Sequence, residues 1–422
     1  MTSAMHLRKG WCPGALRPMR SGDGLLVRVR PRSGAFSLSA LSAISAIATR
    51  FGSGEIDLTN RGNLQIRGVS DDAFERALAA LGEAGLLDIS PEVEAVRNVV
   101  VDPLSGLDPE RRDVRDLAAA LEDRLVSDPR LWELPGKFGF SFSGSSAPLV
   151  GGRSADIMIS SSGDHISIAL DGAPDVCCDA VRDEAIDAAH HLALAFSEIA
   201  ENDASFRRMR DAVSRLGAAT IFAMAGLGAP RPSTASFERS STVGLLTRGQ
   251  RVFAAGIGLP FGRITAAQLN KLSGAADIAG CLRVHVGPER ALVFPISDAQ
   301  QGALLLNAAE VAGLITRADD IRLAMDVCPG SRACKNATTD TRGDAQRFAE
   351  TFGGSLEGCS FHISGCEKGC ARREAATFTL IGRNGQYDIV RNGSADSLHV
   401  HRTIGADEMS AAISFLLLEP AV

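Results

Sequence analysis

Hydrophobic and polar positions along this chain fall into short runs that switch between two periods. GLLVRVRP, from Gly24, predicts a strand; past Gly34 the apolar residues take helical spacing and predict an amphipathic helix. A strand over Ile56–Gly68 and a helix over Asp71–Ala84 follow. The same order then returns: GLLTRGQRVFAAGIGLPFGRITAAQL from Gly244, with its own glycine at Gly262, a strand over Leu282–Pro295 and a helix over Ala299–Ala312. Further on, VVVDPLSG (Val99–Gly106) answers to AMDVCPGS (Ala324–Ser331), and FGFSFSGSS (Phe138–Ser146) to CSFHISGCE (Cys359–Glu367). The tail strands ADIMISSSGDHISIAL and ATFTLIGRNGQYDIV complete the parallel. Matched segments in one order, at a shift of about 220–228 residues, indicate an internal duplication.

The joint between the copies follows a long helix expected over Asp179–Leu216 and falls in the Gly-, Pro- and Ser-rich stretch Gly226–Ser241. Alternating short strands and helices predict α+β layers with mostly antiparallel sheets. Two homologous halves would pack about a pseudo-twofold axis, with a cleft for a large ligand at their seam.

Composition narrows the setting. Of the 422 residues, 45% are hydrophobic and 22% charged, and the net charge of −6 argues against a nucleic-acid partner. MTSAMHLRKGWCPGALR lacks the apolar core of a secretory leader. The apolar stretch Leu216–Ala229 is too short and glycine-broken to span a bilayer. A cytoplasmic protein without a membrane partner is expected, so the nine cysteines should serve metal binding or burial rather than disulfides. Gly52-Ser53-Gly54 and Gly256-Ile257-Gly258 are lone G-x-G fragments without a dinucleotide setting. Electrons, if used, should come from another protein.

The second copy carries four cysteines that the first lacks: Cys328-x5-Cys334 at the proline corner and Cys366-x3-Cys370 at the next loop. The matching region of the first copy, around Asp102, Asp108, Ser145 and Leu149, has none. Structural zinc usually takes ligand pairs two to four residues apart, and free cysteines are often simply buried. Uneven spacings of five and three suit the wider corners of a [4Fe–4S] cubane better. Lys335, Lys368, Arg372 and Arg373 would offset the thiolate charge. Cys177, Cys178, Cys281 and Cys12 read as packing residues, and Cys359 as a residue that could line a cluster pocket.

Cys-x5-Cys followed by Cys-x3-Cys in a GCxxGCA setting resembles the hemoprotein half of the sulfite and nitrite reductases. LTNRGNLQIRG (Leu58–Gly68), RNVVVDP (Arg97–Pro103) and LPGKFGFSFSG (Leu134–Gly144) are similar to further segments of that family. The resemblance implies an internally duplicated sulfite/nitrite reductase-like fold. Ferredoxin-like half repeats would occupy residues 10–88 and 242–318. A cluster-free reductase-like α+β domain would occupy residues 89–228, and the cluster-bearing one residues 319–422. It also implies a tetrapyrrole beside the cluster. A ligand rich in carboxylates calls for planar arginine forks. The candidate grip is Arg28, Arg30, Thr59, Asn60, Arg61, Gln65, Arg67, Arg97 and Asn98. The reductases hold their oxyanion with two lysines spaced K-x-K. Here Lys137 is followed by Phe138 and Gly139, so the second lysine is missing.

RKGWCPGALRPMRSGDGLLVRVRP (Arg8–Pro31) and the compact length resemble the precorrin-3B synthase branch of the family. That likeness implies a tetrapyrrole substrate, precorrin-3A, hydroxylated at C20 with O2 and closed to a γ-lactone. An external reductase would bring electrons from NAD(P)H, and a mononuclear non-heme iron could join the cluster. Siroheme enters only in the other reading, a small siroheme-dependent nitrite or sulfite reductase. Lys137 and His362 are the candidate catalytic residues. His285, Asp102 and Glu367 are weaker candidates for iron, since no facial triad of ligands is visible. His190 and His191 read as packing or surface residues of the long helix.

Overall fold

The computed structural model describes residues 13–146, 155–233, 241–352, 356, 358–397 and 399–418. Its architecture is α+β, built from ferredoxin-like half repeats and duplicated α/β layers. The first half-domain sheet runs Met19–Ser21, Gly24–Val29, Leu64–Val69, Glu55–Leu58, Arg263–Thr265. The second runs Gly244–Arg248, Arg251–Gly258, Ala291–Pro295, Arg283–Val286, Ala35–Ser37. Each sheet therefore takes its last strand from the other half: Arg263 pairs with Asp57, and Ala35 with His285. The helices Leu38–Phe51 and Ala266–Ile278 pack together, and with Asp71–Glu83 and Ala299–Val311 they bury one face of both sheets in a single core.

Three expected elements resolve differently. The strand over Ile56–Gly68 is a hairpin, Glu55–Leu58 and Leu64–Val69, because Thr59-Asn60-Arg61-Gly62 has turn chemistry, with Gly62 at φ 70°. Its counterpart Leu282–Pro295 is likewise two strands, Arg283–Val286 and Ala291–Pro295. The long helix over Asp179–Leu216 is a strand, Ala173–Val181, followed by helices Ala185–Asn202 and Met209–Leu216. Asp203 accepts the Ser205 N–H at 2.8 Å and turns the chain, and Asp211 takes the Arg208 N–H at 2.9 Å to start the next helix.

Two further sheets extend the duplication. In the cysteine-free one, Val99–Val101, Phe140–Ser143 and Ile157–Ser162 lie parallel before the antiparallel strands His165–Leu170, Ala173–Val181 and Arg231–Pro232. In the cysteine-bearing one, Met325–Val327, Phe361–Ser364 and Ala376–Arg383 are parallel, and Gln386–Gly393 and Arg402–Ile404 antiparallel. Most pairings among the described residues are antiparallel, as expected, and the parallel portions are confined to these two sheets. They also matter for function, since parallel strands leave a crevice at their C-terminal ends.

Candidate functional site

On the first half-domain sheet, Val27, Val29, Ile56, Leu58, Leu64 and Ile66 face the helical core. Strand alternation puts Arg28, Arg30, Asp57, Gln65 and Arg67 on the opposite face. Arg28 and Gln65 are direct cross-strand partners, and Arg28 Nη2 donates to Gln65 Oε1 at 2.9 Å. Arg30 Nη1 donates to Asn98 Oδ1 at 3.4 Å, and Asn98 Nδ2 to the Phe138 carbonyl at 2.8 Å. From the hairpin turn, Arg61 Nη2 donates to the Lys137 carbonyl at 2.8 Å. Thr59 Oγ1 shapes that turn by accepting from the Asn63 N–H at 3.2 Å, while Asn60 and Lys137 are exposed. Arg28, Arg30, Arg61, Gln65, Asn98 and Lys137 thus form one belt where the first half-domain meets the cysteine-free sheet.

Arg97 and Arg67 are brought to the same side, but their donors are engaged within the chain. Arg97 holds Asp88 through Nε and Nη2, each at 2.9 Å, and the Pro31 carbonyl through Nη1 at 2.7 Å. Arg67, 2% exposed, binds Asp23 and Asp57. Asp57 also receives Arg263 and Arg342. Burial alone would raise the Asp57 carboxyl, but Arg342, Arg263 and Arg67 hold it well below the carboxylate range. Burial, followed by the charges of Arg263 and Arg67, brings Arg342 down to about 10 despite the pull of Asp57. Motif reading missed this network. The one sequence signal was the inward polar position in Glu55-Ile56-Asp57-Leu58.

The cysteines sit at the C-terminal ends of the parallel strands. Cys328 follows Val327, whose strand partner is Ile363, and Cys366 lies just beyond Ser364. The Gly365 N–H donates to Cys328 Sγ at 3.1 Å, and Thr341 Oγ1 donates to the Cys328 carbonyl at 2.7 Å. Cys328 is buried, Cys334 and Cys366 half-buried and Cys370 exposed. A cavity of about 400 Å³ opens beside Cys366, lined also by Asn336, Thr338, Glu367, Lys368 and Arg383, among others. The eight described cysteines are all free thiols, with Cys177, Cys178 and Cys281 buried; Cys12 and Leu149 lie outside the described residues. Among the described residues, no three His, Cys, Asp or Glu side chains converge as ligands of a single metal ion. A cubane asks for something else: its thiolates bind separate iron corners and stand further apart. Cys328 and Cys366 at the ends of neighbouring strands, with Cys334 and Cys370 on the loops that follow and an amide N–H already on one sulfur, make a donor set with the chemistry such a cluster takes.

His362 is fully buried, and neither ring nitrogen has a hydrogen-bond partner. Burial lowers its pKa, more than the neighbouring Asp326 raises it. A Cβ at Gly369 would stand 3.5 Å from His362 Cε1, so the Cys366–Cys370 loop lies directly over the ring. His285 is held elsewhere, its Nδ1 within 2.8 Å of Arg115 Nη2 and 3.0 Å of the Pro103 carbonyl. Asp102 is fully buried against Arg111 at 2.8 Å, and Glu367 lines the cavity. His190 is buried in the helix Ala185–Asn202 and bonded to Asp128.

With this geometry the chain can be set beside known proteins. The model of the nitrite/sulfite reductase ferredoxin-like half domain matches residues 17–84. The structure of the Mycobacterium tuberculosis NirA protein superposes with a TM-score of 0.75 at 20% identity, over 93% of this chain and 80% of that one. A precorrin-3B synthase from Sinorhizobium sp is 29% identical, over 93% of this chain and 84% of its own. A ferredoxin–nitrite reductase from Synechococcus elongatus is 25% identical, over 89% and 79%. In fold and in sequence the chain thus resembles oxidoreductases. More narrowly, the likeness is to the sulfite/nitrite reductase-like superfamily built on the ferredoxin-like half domain. No helix among the described residues is long and apolar enough to cross a membrane.

Proposed function

We propose that this protein is an oxidoreductase that works with a carboxylate-rich tetrapyrrole beside a [4Fe–4S] cluster. The observation that carries the reading is the belt of Arg28, Arg30, Arg61, Gln65 and Asn98, gathered from separate segments along one sheet face and its rim. That many polar groups converge where a macrocycle's carboxylates can take planar, charge-assisted bonds. Cys328, Cys334, Cys366 and Cys370 would hold the cluster, which supplies one-electron chemistry when bound. Thr59 and Asn60 shape the rim of the tetrapyrrole site, and Lys137 presents a cation there. His362 supports the cysteine loop from beneath. An external reductase, drawing on NAD(P)H, would deliver the electrons.

Two finer readings divide on what the tetrapyrrole is. The comparisons favour a cofactor: siroheme-dependent reduction of nitrite or sulfite, the activities for which several of the relatives are named. The residues favour a substrate, as does the Sinorhizobium relative: hydroxylation of precorrin-3A at C20 with O2 and lactone closure. The residue argument rests on Gly139, where the resemblance places a second lysine. A Cβ there would stand 2.8 Å from Asn98 Nδ2 and from its carbonyl, so a lysine would displace the residue that holds Arg30. With one cation fewer, the site is a weaker trap for a small oxyanion. Visible spectra of the purified protein and two turnover assays test the choice. A strong Soret band with nitrite or sulfite consumption establishes the reductase. Cluster absorbance alone, with label from 18O2 entering precorrin-3A, establishes the hydroxylase and with it the need for a non-heme iron.

A further inference from the structure

We propose that Arg67 is the hub of a latch that positions the Cys328–Cys334 loop against the first half-domain sheet. This rests on the cluster reading above, but the latch can be tested separately from it.

Arg67 has three hydrogen-bonded neighbours on its own sheet. Nε and Nη2 donate to the two oxygens of Asp23 at 2.9 and 3.0 Å, Nη1 donates to Asp57 at 2.8 Å, and Nη2 also reaches Ser21 Oγ at 3.4 Å. Two of these neighbours hold the cysteine-bearing segment. Ser21 Oγ donates to the Ala333 carbonyl at 2.8 Å, and the Gly22 N–H shares that carbonyl at 3.2 Å. Ala333 immediately precedes Cys334. Asp57 meets Arg342 Nη1 at 3.3 Å, and the adjacent Thr341 donates to the Cys328 carbonyl. The loop is therefore clipped at both of its cysteines, and both clips return to one guanidinium.

The fit is close. A Cβ at Gly22 would stand 3.0 Å from the Ala333 carbonyl carbon and oxygen, so the turn before Arg67's partner Asp23 needs glycine to approach the loop. The carboxylate that Arg67 shares is further held by Arg263, on the strand contributed by the other half. A buried charge left without its partner is strongly unfavourable, so these groups define one position for the loop. Arg67 lies two residues beyond Gln65 on the same strand. The strand that faces the tetrapyrrole is thus also the one that sets the cysteine loop. Arg67 is a positioning residue, although the motif resemblance assigns it to the ligand.

The test uses the full chain carrying Arg67→Met or Arg67→Lys, with amide hydrogen exchange read over residues 328–342. Iron and sulfide retention after anaerobic reconstitution and a timed chelator challenge is read in parallel. Both variants should exchange about tenfold faster over that segment and lose iron about tenfold faster, since a lysine cannot make the forked contacts. Should Arg67→Met fail to fold, Arg342→Met removes one clip while leaving Arg67, Asp23 and Asp57 together, and should speed exchange around Thr341. Wild-type exchange and iron retention in all folded variants overturn the latch. If the wild-type protein takes up no iron and sulfide, the cluster reading fails instead, and hydrogen exchange alone decides the latch.

Discussion

The sheet that carries Arg28 and Arg30 and the sheet that carries Gly256 and Gly258 share one register. Strand pairing matches Arg28 with Gln65 in the first and Gly256 with Val293 in the second, and Asp57 answers to His285, each 228 positions on. The first sheet's outer face bears arginines, Gln65 and Asp57. The second's is sealed by Leu246, Phe253, Ala254 and Val293, against which Leu104 from the cysteine-free side packs. Its glycines permit that closure: a Cβ at Gly256 would stand 1.7 Å from the Thr242 carbonyl. The proline corners diverge in the opposite sense. Where one copy has Cys328 with an amide donor on its sulfur, the other has Asp102 held by Arg111, with Asp108 held by Arg248. Each copy has filled one of the two places with its own side chains: the first keeps an arginine-bearing face and a closed corner, the second a sealed face and a cysteine-bearing corner. Duplication supplied a scaffold, and divergence divided the two sets of polar groups between its copies.

The largest expected effect comes from the cysteine corner. Cys328→Ser or Cys366→Ser should abolish bound iron and sulfide, measured by colorimetric assay after reconstitution, while Ser145→Ala at the opposite corner leaves both unchanged. Next is the corner that replaced it. Asp102→Ala takes the nearer carboxylate from the buried Arg111, leaving Asp108 at 3.7 Å, and should cost about 3 kcal/mol in denaturant unfolding. Arg28→Gly, which makes the first sheet resemble the second, should weaken tetrapyrrole binding by about 1.5–3 kcal/mol in a titration, with the cluster spectrum intact. The smallest effect lies at the seam. Burial, and then Arg115, pushes His285 down to about 3, so it stays neutral in the fold while the unfolded chain protonates near its ordinary value of about 6.5. Folded stability is therefore lost as pH falls from that value toward 3, and His285→Asn should flatten this part of a thermal-melt pH profile.

The duplication, the cysteine spacing and the arginine-bearing strands were legible because each is written in short local stretches of the chain. The exchange of Ala35–Ser37 and Arg263–Thr265 was not, because a short strand's sequence does not say which sheet edge receives it. Turn chemistry at Thr59–Gly62 was present but read through as strand. The roles of Arg67 and Arg97 were hidden for a different reason. An arginine facing a cleft and one facing a buried carboxylate have the same sequence signature, and only the positions of Asp23, Asp57 and Asp88 separate them.

The claim that one copy houses the redox centre is tested most directly by anaerobic reconstitution followed by iron and sulfide counting and EPR of the reduced protein. The account predicts one cubane per chain, about four iron atoms with matching sulfide, and a signal that disappears in Cys366→Ser. Iron bound without sulfide, or a cluster that survives that substitution, would contradict it.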